Sequence, residues 1–440
     1  MLAEVAYITT GYPAPSHTFI MREVQALRRR GVRIATTSVH RAECEHLLTE
    51  EDRREFETTH ALLPPRWREI ATSHLIALIR HPRAFVSTLR VALGMARRGW
   101  RGRLWQLFYF AEALTAWSHW RRVDARHIHA HFVAAPSDVA LLAAHFGRVA
   151  GSGPQTWSFT VHGLIELWDV QTFRLAEKVR RADAVICISD FTRSQLMAMV
   201  EEDHWAKLQV VHCGVVPADY TGIGEPPSGP PCILCVARLV PEKGHSVLLR
   251  ALALLRDRGV EASLELVGDG PSREHLGRLV ADLNLEDRVR FAGTIGQHEM
   301  ATHYENAAVV CLPSFCEGVP VVLMEAMACG RAVIASAVAG VRELVRDRET
   351  GLLVSPGRED ELADGLEVLL RGPDMRRSLG DAARRHVARH YDVDESAARL
   401  SDLFGGLHGE HLSRARWTTL AASAGAEQAA LAPTELVGDR

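Results

Sequence analysis

The segment PSFCEGVPVVLMEAMACG, residues 313–330, decides the fold of this chain. Pro320 suits the start of a helix and Gly330 suits the left-handed residue after its last turn, so a short helix is predicted between them. An apolar run at 308–312 precedes the segment and another at 332–335 follows it, and both have the composition of buried strands. Strand, loop, helix and strand in this order form a parallel βαβ unit.

The same unit repeats along most of the chain. We predict a first helix from Ser16, as its N-cap, to Arg30, with Gly31 just past its end. The remaining predicted strands cover residues 4–9, 158–161, 184–189, 208–211, 232–237, 263–267 and 290–292. Two tandem α/β domains with parallel sheets follow, and their ligand cleft lies beyond the carboxyl ends of the strands.

The boundaries follow from composition. We assign 1–218 to the first domain, the Gly- and Pro-rich stretch 219–231 to a linker and 232–392 to the second domain. A final helix over 393–412 is expected to pack back on the first domain. The small-residue end, 413–440, is expected to be flexible.

Composition bounds the class of protein. The 440 residues are 47% hydrophobic and 24% charged, which is typical of a multidomain globular protein and excludes a disordered or fibrous chain. The formal net charge of −3 gives no general attraction for a polyanion, so no nucleic-acid partner is expected. No charge-free apolar run reaches the ~18 residues of a spanning helix. We therefore expect a cytoplasmic protein.

The cysteines favour packing over chemistry. Cys232 and Cys235 form a CxxC pair inside the apolar run 232–239, where positions three apart point to opposite faces of a strand. No second CxxC pair accompanies them, so core packing is favoured over a redox or zinc site. The eight cysteines are expected to be free thiols in a reducing compartment.

The stretch 64–126 differs from the rest of the first domain. It carries twelve arginines, three acids and five of the nine tryptophans, and its apolar residues recur at helical spacing. Cationic amphipathic helices of this composition lie in the headgroup layer of a membrane, so we consider peripheral contact with an anionic inner membrane face. The alternative is a set of helices packed on the domain with solvated arginines.

Two cations follow the first strand of the second domain. Arg238 and Lys243 stand where PEKG, residues 241–244, is predicted to open a helix. A cation there opposes the helix dipole by a few tenths to ~1 kcal/mol, whereas each charge-assisted hydrogen bond to a bound phosphate returns ~1.5 to 3 kcal/mol. The larger contribution favours a phosphate site. Two exposed surface cations are the alternative.

Two glutamates accompany the decisive helix. Glu317 lies in the loop before it and Glu325 on its second turn, so both can face one ligand. Carboxylates accept hydrogen bonds from sugar or ribose hydroxyls, and the free amides at 320–322 suit phosphate oxygens. Together these groups indicate a nucleotide sugar. The alternatives are a capping or salt-bridging role for Glu325 and a turn role for Glu317.

A glycine turn adds a weaker indication. GDGP at 268–271 allows close backbone approach after a strand. It is not the dinucleotide GxGxxG fingerprint, which is also absent after 4–9 and 232–237. A nicotinamide dehydrogenase is therefore disfavoured.

These motifs carry a family resemblance. Arg238 with Lys243, the GDGP turn, FAGTI at 291–295 and EGVPVVLME at 317–325 resemble the GT4 family of retaining glycosyltransferases. The likeness covers nearly all of 232–392. The first half, with TTGYPAPSHTFIMREVQAL from residue 9 and HAHFVAAPSDVALLAAHFG from residue 129, is similar to the colanic acid and exopolysaccharide branch.

The resemblance implies a GT-B fold of two Rossmann-like domains, with the donor on the second, the acceptor on the first and no metal. Arg238 and Lys243 would neutralise the leaving diphosphate. Glu325 would bind ribose hydroxyls, Glu317 would contact the donor sugar near its anomeric carbon, and Ile295 would lie beside the base.

The remaining candidate residues come from both halves. Gly11, in the loop after the first strand, would let the backbone approach the diphosphate. His162, at the end of the strand 158–161, would line the reaction centre. His127, His129 and His131 alternate along a strand, and packing is favoured over a metal site because no fourth ligand is evident. The candidate backbone contacts to the donor are Gly318, Val319, Pro320, Val321 and Val322.

The predicted reaction is transfer with retention from a nucleotide diphosphate sugar to an acceptor hydroxyl, with electrostatic stabilisation of the leaving group as the main catalytic contribution. The basic stretch 64–126 indicates a lipid-linked oligosaccharide acceptor, as in exopolysaccharide or cell-surface glycan synthesis. The alternatives are a small-molecule acceptor, a nucleotide-sugar epimerase of the same fold, and a non-catalytic binding module.

Overall fold

The computed structural model describes residues 4–14, 17–43, 47, 49–220, 230–296 and 299–408. The predicted cap Ser16, most of the linker 219–231 and the tail 413–440 lie outside the described residues.

Strands in these residues form two sheets. They are β1 (Glu4–Tyr12), β2 (Arg33–Arg41), β3 (His60–Leu63), β4 (His127–His131), β5 (Thr156–Val161), β6 (Ala184–Cys187), β7 (Leu208–Val210), β8 (Cys232–Val236), β9 (Ser263–Val267), β10 (Val289–Gly293), β11 (Ala307–Leu312), β12 (Ala332–Ser336) and β13 (Leu352–Val354). The first sheet has the order β3-β2-β1-β4-β5-β6-β7 and the second β10-β9-β8-β11-β12-β13. All pairings within both sheets are parallel.

Helices cover both sheets, as buried parallel strands require. They are α1 (Thr18–Arg29), α2 (Glu50–Thr58), α3 (Trp67–Arg80), α4 (Pro82–Met95), α5 (Trp100–Arg122), α6 (Ala135–Ala150), α7 (Leu164–Trp168), α8 (Val170–Phe173), α9 (Leu175–Arg181), α10 (Asp190–Met197), α11 (His245–Asp257), α12 (Arg273–Asp282), α13 (Met300–Asn306), α14 (Val321–Ala328), α15 (Val341–Leu344), α16 (Glu359–Arg371), α17 (Pro373–His390) and α18 (Val393–His408). The two-domain α/β fold with parallel sheets is confirmed.

Some predicted elements have different bounds. β1 extends to Tyr12, so Gly11 belongs to the strand and not to the loop where it was expected. α1 begins at Thr18 with His17 as its N-cap. α14 begins one residue after Pro320, which is its N-cap, and Gly330 has the predicted left-handed conformation with φ 68°. The strands β2, β3 and β13 have no counterpart among the predicted ones, because their sequences mix polar with apolar residues or are very short.

Helix α18 packs against the first domain. Ala397, Leu400 and Phe404 join one buried cluster with Val5 and Tyr7 of β1. Within this cluster the ring of Phe404 lies edge-on to Tyr7 at 6.3 Å. The chain therefore crosses to the second domain and returns, which ties the two domains together at a second point.

The helices α3, α4 and α5 divide the tryptophans of the stretch 64–126. Trp117 and Trp120 are fully buried, and Trp120 Nε1 donates to Thr37 Oγ1 at 2.8 Å. Trp67, Trp100 and Trp105 are exposed. None of the helices in the described part of the chain combines the length and apolar character that crossing a bilayer requires.

Candidate active site

A cavity of about 580 Å³ lies between the two domains at the carboxyl ends of the central strands. Its lining from the first domain includes His17, Phe132 and His162. From the second domain the predicted residues Arg238, Lys243, Glu317, Gly318, Val319 and Val321 all contribute. Because the carboxyl ends of parallel strands meet at one edge of each sheet, the fold brings together side chains that are far apart in the chain.

The loop after β8 positions the two cations. A short 3₁₀ turn covers Pro241–Lys243, and α11 begins only at His245, so neither cation lies inside the predicted helix start. Gly244 has φ 67°, and a Cβ there would lie 2.1 Å from the Pro313 carbonyl oxygen. This glycine holds the turn against the loop that carries Glu317.

Lys243 and Glu317 form an ion pair in the cavity wall. Lys243 Nζ donates to Glu317 Oε1 at 2.6 Å, and Ser314 Oγ donates to the same oxygen at 2.7 Å. Arg238 is more exposed, with its guanidinium 3.8 Å from the Glu242 carboxylate. A phosphate oxygen entering this corner would meet the partly buried ammonium of Lys243 and the exposed guanidinium of Arg238.

The GDGP turn supports the same loop. Gly268 and Gly270 have φ angles of 131° and 158°, which favour glycine. A Cβ on Gly268 would lie 2.1 Å from the Ala237 carbonyl oxygen. Leu239 donates its backbone N–H to Asp269 at 2.9 Å. The turn therefore fixes the backbone on both sides of Arg238, and it acts on the site through that loop.

The two glutamates of the decisive segment face different surroundings. Glu317 lines the cavity, whereas Glu325, on α14, is buried and is not part of the cavity wall. Glu325 Oε1 accepts from Arg22 Nη2 of the first domain at 2.7 Å, and its Oε2 accepts from the Tyr304 hydroxyl at 2.9 Å. The expectation that both acids face one ligand is not met in this arrangement, because an arginine from the other domain holds Glu325.

Arg22 was missed in the sequence. It lies on the inward face of α1, and its Nη2 also donates to the Tyr220 hydroxyl at 3.0 Å. The side chains of Arg22 and Glu325 are 10% and 6% exposed, so this ion pair is buried between the domains. The sequence of α1 does not distinguish Arg22 from a solvent-exposed arginine, because its partner belongs to a helix that is distant in the chain.

A second cavity, of about 680 Å³, lies on the other side of α1. Arg22, Tyr220 and the predicted residue Ile295 contribute to its wall. Phe19, one turn before Arg22, lines the first cavity instead. Arg22 therefore lies on the helix that separates the two cavities, and its ion pair with Glu325 joins that helix to α14.

His162 follows β5 and lines the first cavity. Its Nε2 lies 2.8 Å from Nδ1 of His131, and its Nδ1 lies 3.7 Å from the Cys213 sulfur. Burial and the neighbouring His131 lower the pKa of His162 well below its ordinary value, so the ring is neutral. A Cβ on Gly318 would lie 2.4 Å from the His162 carbonyl oxygen, so the two walls touch here through backbone.

Glu166 is another residue that the sequence reasoning missed. Its carboxylate accepts backbone N–H bonds from Val133 at 2.6 Å, His162 at 2.8 Å and Gly163 at 3.3 Å. Burial raises the pKa of Glu166 to about 7, against the opposing effect of these bonds. The side chain joins the ends of β4 and β5 and thereby sets the position of His162.

Gly11 does not line either cavity, although its neighbour Thr10 lines the first. A Cβ on Gly11 would meet nothing within 4 Å. The structure therefore gives no steric reason for glycine at this position. Pro320 is buried, and Val322 follows it in the first turn of α14, where helix amides lack partners within the helix.

The alternating histidines of β4 are all buried. Both ring nitrogens of His129 lie within 3.0 Å of hydroxyls, those of Ser158 and Thr160. Glu23 comes close enough to His129 and His131 for one ligand atom of each to lie within 4.8 Å of the others. The spacing of the histidines in the sequence did not reveal this acid. Because both ring nitrogens of His129 already have hydroxyl partners, we interpret the cluster as a hydrogen-bonded one.

Comparison with known proteins identifies the family. The profile described as "Glycosyltransferase Family 4" matches residues 17–219, and that described as "Glycosyl transferases group 1" matches residues 220–386. A D-inositol 3-phosphate glycosyltransferase of Actinosynnema mirum is 31% identical over 318 residues, which cover 64% of this chain and 75% of that protein. The chain belongs to glycosyltransferase family 4.

Other relatives match this GT4 chain over a shorter span. A GDP-mannose-dependent alpha-(1-6)-phosphatidylinositol monomannoside mannosyltransferase of Mycobacterium tuberculosis is 36% identical over 183 residues. The match covers 40% of this chain and 48% of that relative, so the chain spans about half of its length.

Solved structures share the GT-B architecture. Sucrose-phosphate synthase from Thermosynechococcus elongatus superposes with a TM-score of 0.68 at 22% identity, covering 92% of this chain and 99% of that one. Anabaena HepE, solved in complex with UDP-glucose, gives a TM-score of 0.67 at 16% identity over 92% and 99% of the two chains. At these identities the likeness shows the fold of the GT4 chain.

Proposed function

We propose that this GT4 chain is a retaining glycosyltransferase that needs no metal and moves a sugar from a nucleotide diphosphate sugar to an acceptor hydroxyl. The observation that carries the proposal is the cavity between the domains, where Arg238, Lys243 and Glu317 lie opposite the neutral His162. The relatives named as GDP-mannose-dependent mannosyltransferases, and the neighbour solved with UDP-glucose, support a nucleotide-sugar donor.

The leaving diphosphate would lie against the second-domain wall. Lys243 and Arg238 supply positive charge where negative charge grows on the leaving oxygen, which is the largest catalytic contribution that such a site can make. The backbone N–H groups of Gly318 and Val319, before α14, and of Val321 and Val322, in its first turn, would add hydrogen-bond donors to the same oxygens. Glu317, already fixed by Lys243 and Ser314, would contact the donor sugar.

The nucleoside would extend past α1. Glu325 would accept ribose hydroxyls, and Ile295 in the second cavity would lie beside the base. Because Arg22 and Tyr304 now bond to the Glu325 carboxylate, ribose has to replace or share one of these bonds.

The test is acceptor-dependent release of nucleoside diphosphate from a panel of nucleotide sugars, chosen first by thermal shift since a ligand of the folded state raises stability. NMR of the product's anomeric proton tests retention, and activity after chelator treatment tests metal independence. A new sugar epimer from donor alone would support the epimerase. Donor binding without any acceptor-dependent release would support a binding module.

For the acceptor we propose a lipid-linked oligosaccharide at the inner face of a membrane, in exopolysaccharide or cell-surface glycan synthesis. The support is the outer surface of α3 to α5, here called the insert surface. Its exposed apolar side chains are Trp67, Leu75, Leu78, Ile79, Val86, Leu93, Trp100, Leu104, Trp105, Leu107 and Phe108. Trp67 and Trp100 are 75% and 70% exposed, whereas packed helices bury such side chains.

Charge on the insert surface selects the type of membrane. The exposed arginines there include Arg80, Arg83, Arg90, Arg97, Arg98, Arg101 and Arg103. Tryptophan inserts at the level of the headgroups while arginine binds their phosphates, each basic residue contributing about 1 kcal/mol on an anionic leaflet. An anionic phospholipid bilayer fits this combination better than a protein partner.

Vesicle co-sedimentation tests the acceptor proposal. Binding to vesicles with phosphatidylglycerol, weaker on neutral phosphatidylcholine and weaker in high salt, is expected. The variant Trp100→Ala/Trp105→Ala/Arg101→Gln/Arg103→Gln should lose it. Its matched control, Val368→Ser/Arg278→Gln, removes an exposed apolar side chain and an exposed arginine of the second domain and should bind normally. Equal loss in both variants, or none in the first, contradicts the proposal and favours a small-molecule acceptor.

A further inference from the structure

Phe132, directly after β4, has an unusual backbone conformation. Its φ angle is 73°, in the left-handed region that a bulky residue rarely adopts. Its backbone N–H donates to the Thr160 carbonyl oxygen at 3.2 Å, and the residue lines the cavity between the domains. Strained conformations of this kind persist only where the surrounding structure enforces them, and they cluster at functional sites. Phe132 is therefore a candidate for a role in the cavity.

The next residue, Val133, is held at both of its backbone polar groups. Its N–H donates to Glu166 Oε1 at 2.6 Å, and its carbonyl oxygen accepts from Lys178 Nζ at 2.5 Å. Lys178 is fully buried and also donates to Asp138 Oδ2 at 2.6 Å. Because breaking a buried ion pair is strongly destabilising, this network keeps the backbone beside Phe132 in place.

Other rings lie around Phe132 on the first-domain wall. The Phe132 ring centroid lies 4.8 Å from that of His17 and 4.9 Å from that of His162, and both pairs are tilted. The Phe19 ring lies 4.8 Å from that of His162. Burial lowers the pKa of His17, and lowers that of His162 well below its ordinary value, so both rings are neutral near pH 7. All four residues line the cavity and form an uncharged aromatic wall.

Phe132 has two sets of neighbours. It packs against the buried cluster that β1 and α18 share, and it also belongs to the cavity wall. The residue is only half-buried, so a ligand in the cavity can reach it.

The charges on the first-domain wall exclude one class of acceptor. The first domain contributes the acid Glu166 to the cavity and, among the described residues, neither a lysine nor an arginine. Proteins bind phosphate groups with such cations, and here Arg238 and Lys243 lie on the opposite wall. The wall around Phe132 therefore suits an uncharged acceptor better than a phosphorylated one.

We propose that Phe132 is a specificity residue for the acceptor, and that an uncharged hexopyranose packs its C–H face against the Phe132 ring. The face of an aromatic ring carries partial negative charge, and the axial C–H groups of a pyranose present partial positive charge to it. The inference rests on the proposed function and narrows the acceptor to a neutral sugar ring. This sugar lies across the cavity from the diphosphate that Arg238 and Lys243 would bind.

Kinetics of three variants test the role of the ring. Phe132→Leu keeps an apolar side chain but removes the aromatic face, and it should raise the acceptor KM by about threefold to tenfold, the range of an aromatic contact. The donor KM should stay within about twofold. Phe132→Tyr keeps the aromatic face and should recover most of the acceptor affinity. The matched control is Phe56→Leu, at a half-buried phenylalanine of α2 that does not line the cavity, and it should leave both KM values unchanged.

Binding of the sugar ring is measured without turnover by saturation-transfer difference NMR. The probes are methyl α-mannopyranoside, methyl β-glucopyranoside and methyl β-galactopyranoside, with myo-inositol 1-phosphate as the charged comparison. At least one glycoside should receive saturation on the C–H protons of one ring face. This signal should weaken in Phe132→Leu and persist in Phe56→Leu. No signal from any glycoside, an unchanged signal in Phe132→Leu, or tighter binding of the inositol phosphate overturns the proposal.

A second measurement applies if Phe132→Leu does not fold. In Phe132→Tyr with ring-labelled tyrosine, the one signal that the six wild-type tyrosines do not give belongs to position 132. The glycoside that binds should shift this signal. A signal that stays in place contradicts contact between the sugar and this ring.

The two proposals fail in distinguishable ways. If the chain transfers no sugar but a glycoside still binds at Phe132, the proposed function fails and the contact stands. If the chain transfers sugar while Phe132→Leu changes neither the acceptor KM nor the glycoside signal, the proposed function stands and this inference fails. A rise in the donor KM alone would place the donor sugar at Phe132 and would also overturn the inference.

Discussion

On the second-domain wall of the cleft, Lys243 and Glu317 form an ion pair that is partly open to solvent, with Arg238 beside it. On the first-domain wall, the neutral ring of His162 has its Nε2 2.8 Å from His131 Nδ1, and Glu166 accepts a hydrogen bond from the His162 backbone N–H. The charged wall suits a phosphate and the neutral wall suits hydroxyls. The difference teaches that one cleft can separate recognition of a leaving group from recognition of sugar oxygens.

The largest expected effect is on the charged wall. Lys243→Ala should lower kcat by about 100- to 1,000-fold, as removal of one preorganised charge-stabilising donor does elsewhere. Release of nucleoside diphosphate measures this. Arg250→Ala, on the exposed side of α11, is the control and should retain turnover. Near-normal turnover of Lys243→Ala would show that the charged wall does not contribute to catalysis.

The second-largest expected effect concerns Glu325, whose ion pair with Arg22 joins the two domains. Glu325→Gln should weaken donor binding by about tenfold, since a charged hydrogen bond contributes about 1.5 kcal/mol or more, while kcat changes less. Isothermal titration with the best donor of the panel measures the affinity. Glu274→Gln, an exposed acid on α12, is the control. Unchanged affinity in Glu325→Gln would mean that this acid serves only the ion pair with Arg22.

The neutral wall predicts a pH effect on stability. Burial lowers the pKa of His129 and of His162 well below their ordinary value. Below about pH 6.5 the unfolded chain therefore binds protons that the folded rings refuse, and stability falls as the pH falls. Thermal melts from about pH 7 to pH 5 should show this fall.

A matched pair of variants assigns that effect. His162→Asn should have a shallower pH dependence than the wild type, because one neutral ring is gone. The exposed His275→Asn should follow the wild-type curve. Parallel curves for His162→Asn and the wild type would show that the His162 ring takes up protons equally in the folded and unfolded chain.

The smallest expected effect is on folding. Arg238 is mostly exposed and its nearest acid lies 3.8 Å away, so Arg238→Ala should change the free energy of unfolding by no more than about 0.5 kcal/mol. Urea denaturation measures this. A much larger loss of stability would make Arg238 a structural residue and would remove the reason to compare it with Lys243.

The sequence was sufficient to predict which residues lie on the charged wall of the cleft. Arg238 and Lys243 lie in the loop after β8, and Glu317 and Gly318 lie in the loop after β11. Loops at the carboxyl ends of strands in a parallel sheet lie at the cleft. The roles assigned to these residues stay predictions until the variants are measured. The expected loop position of Gly11 was wrong because β1 continues through Tyr12, paired with Arg41 of β2.

The amino-acid sequence by itself determined the alternation of strands and helices, the two parallel sheets and the family. Local apolar periodicity and short motifs encode these features, and neither depends on distant contacts. Only the tertiary structure decided that Arg22 reaches Glu325, that Glu23 reaches His131 and that Glu166 joins two strand ends. Such pairs join residues far apart in the chain, and no local pattern specifies which buried acid will meet which base.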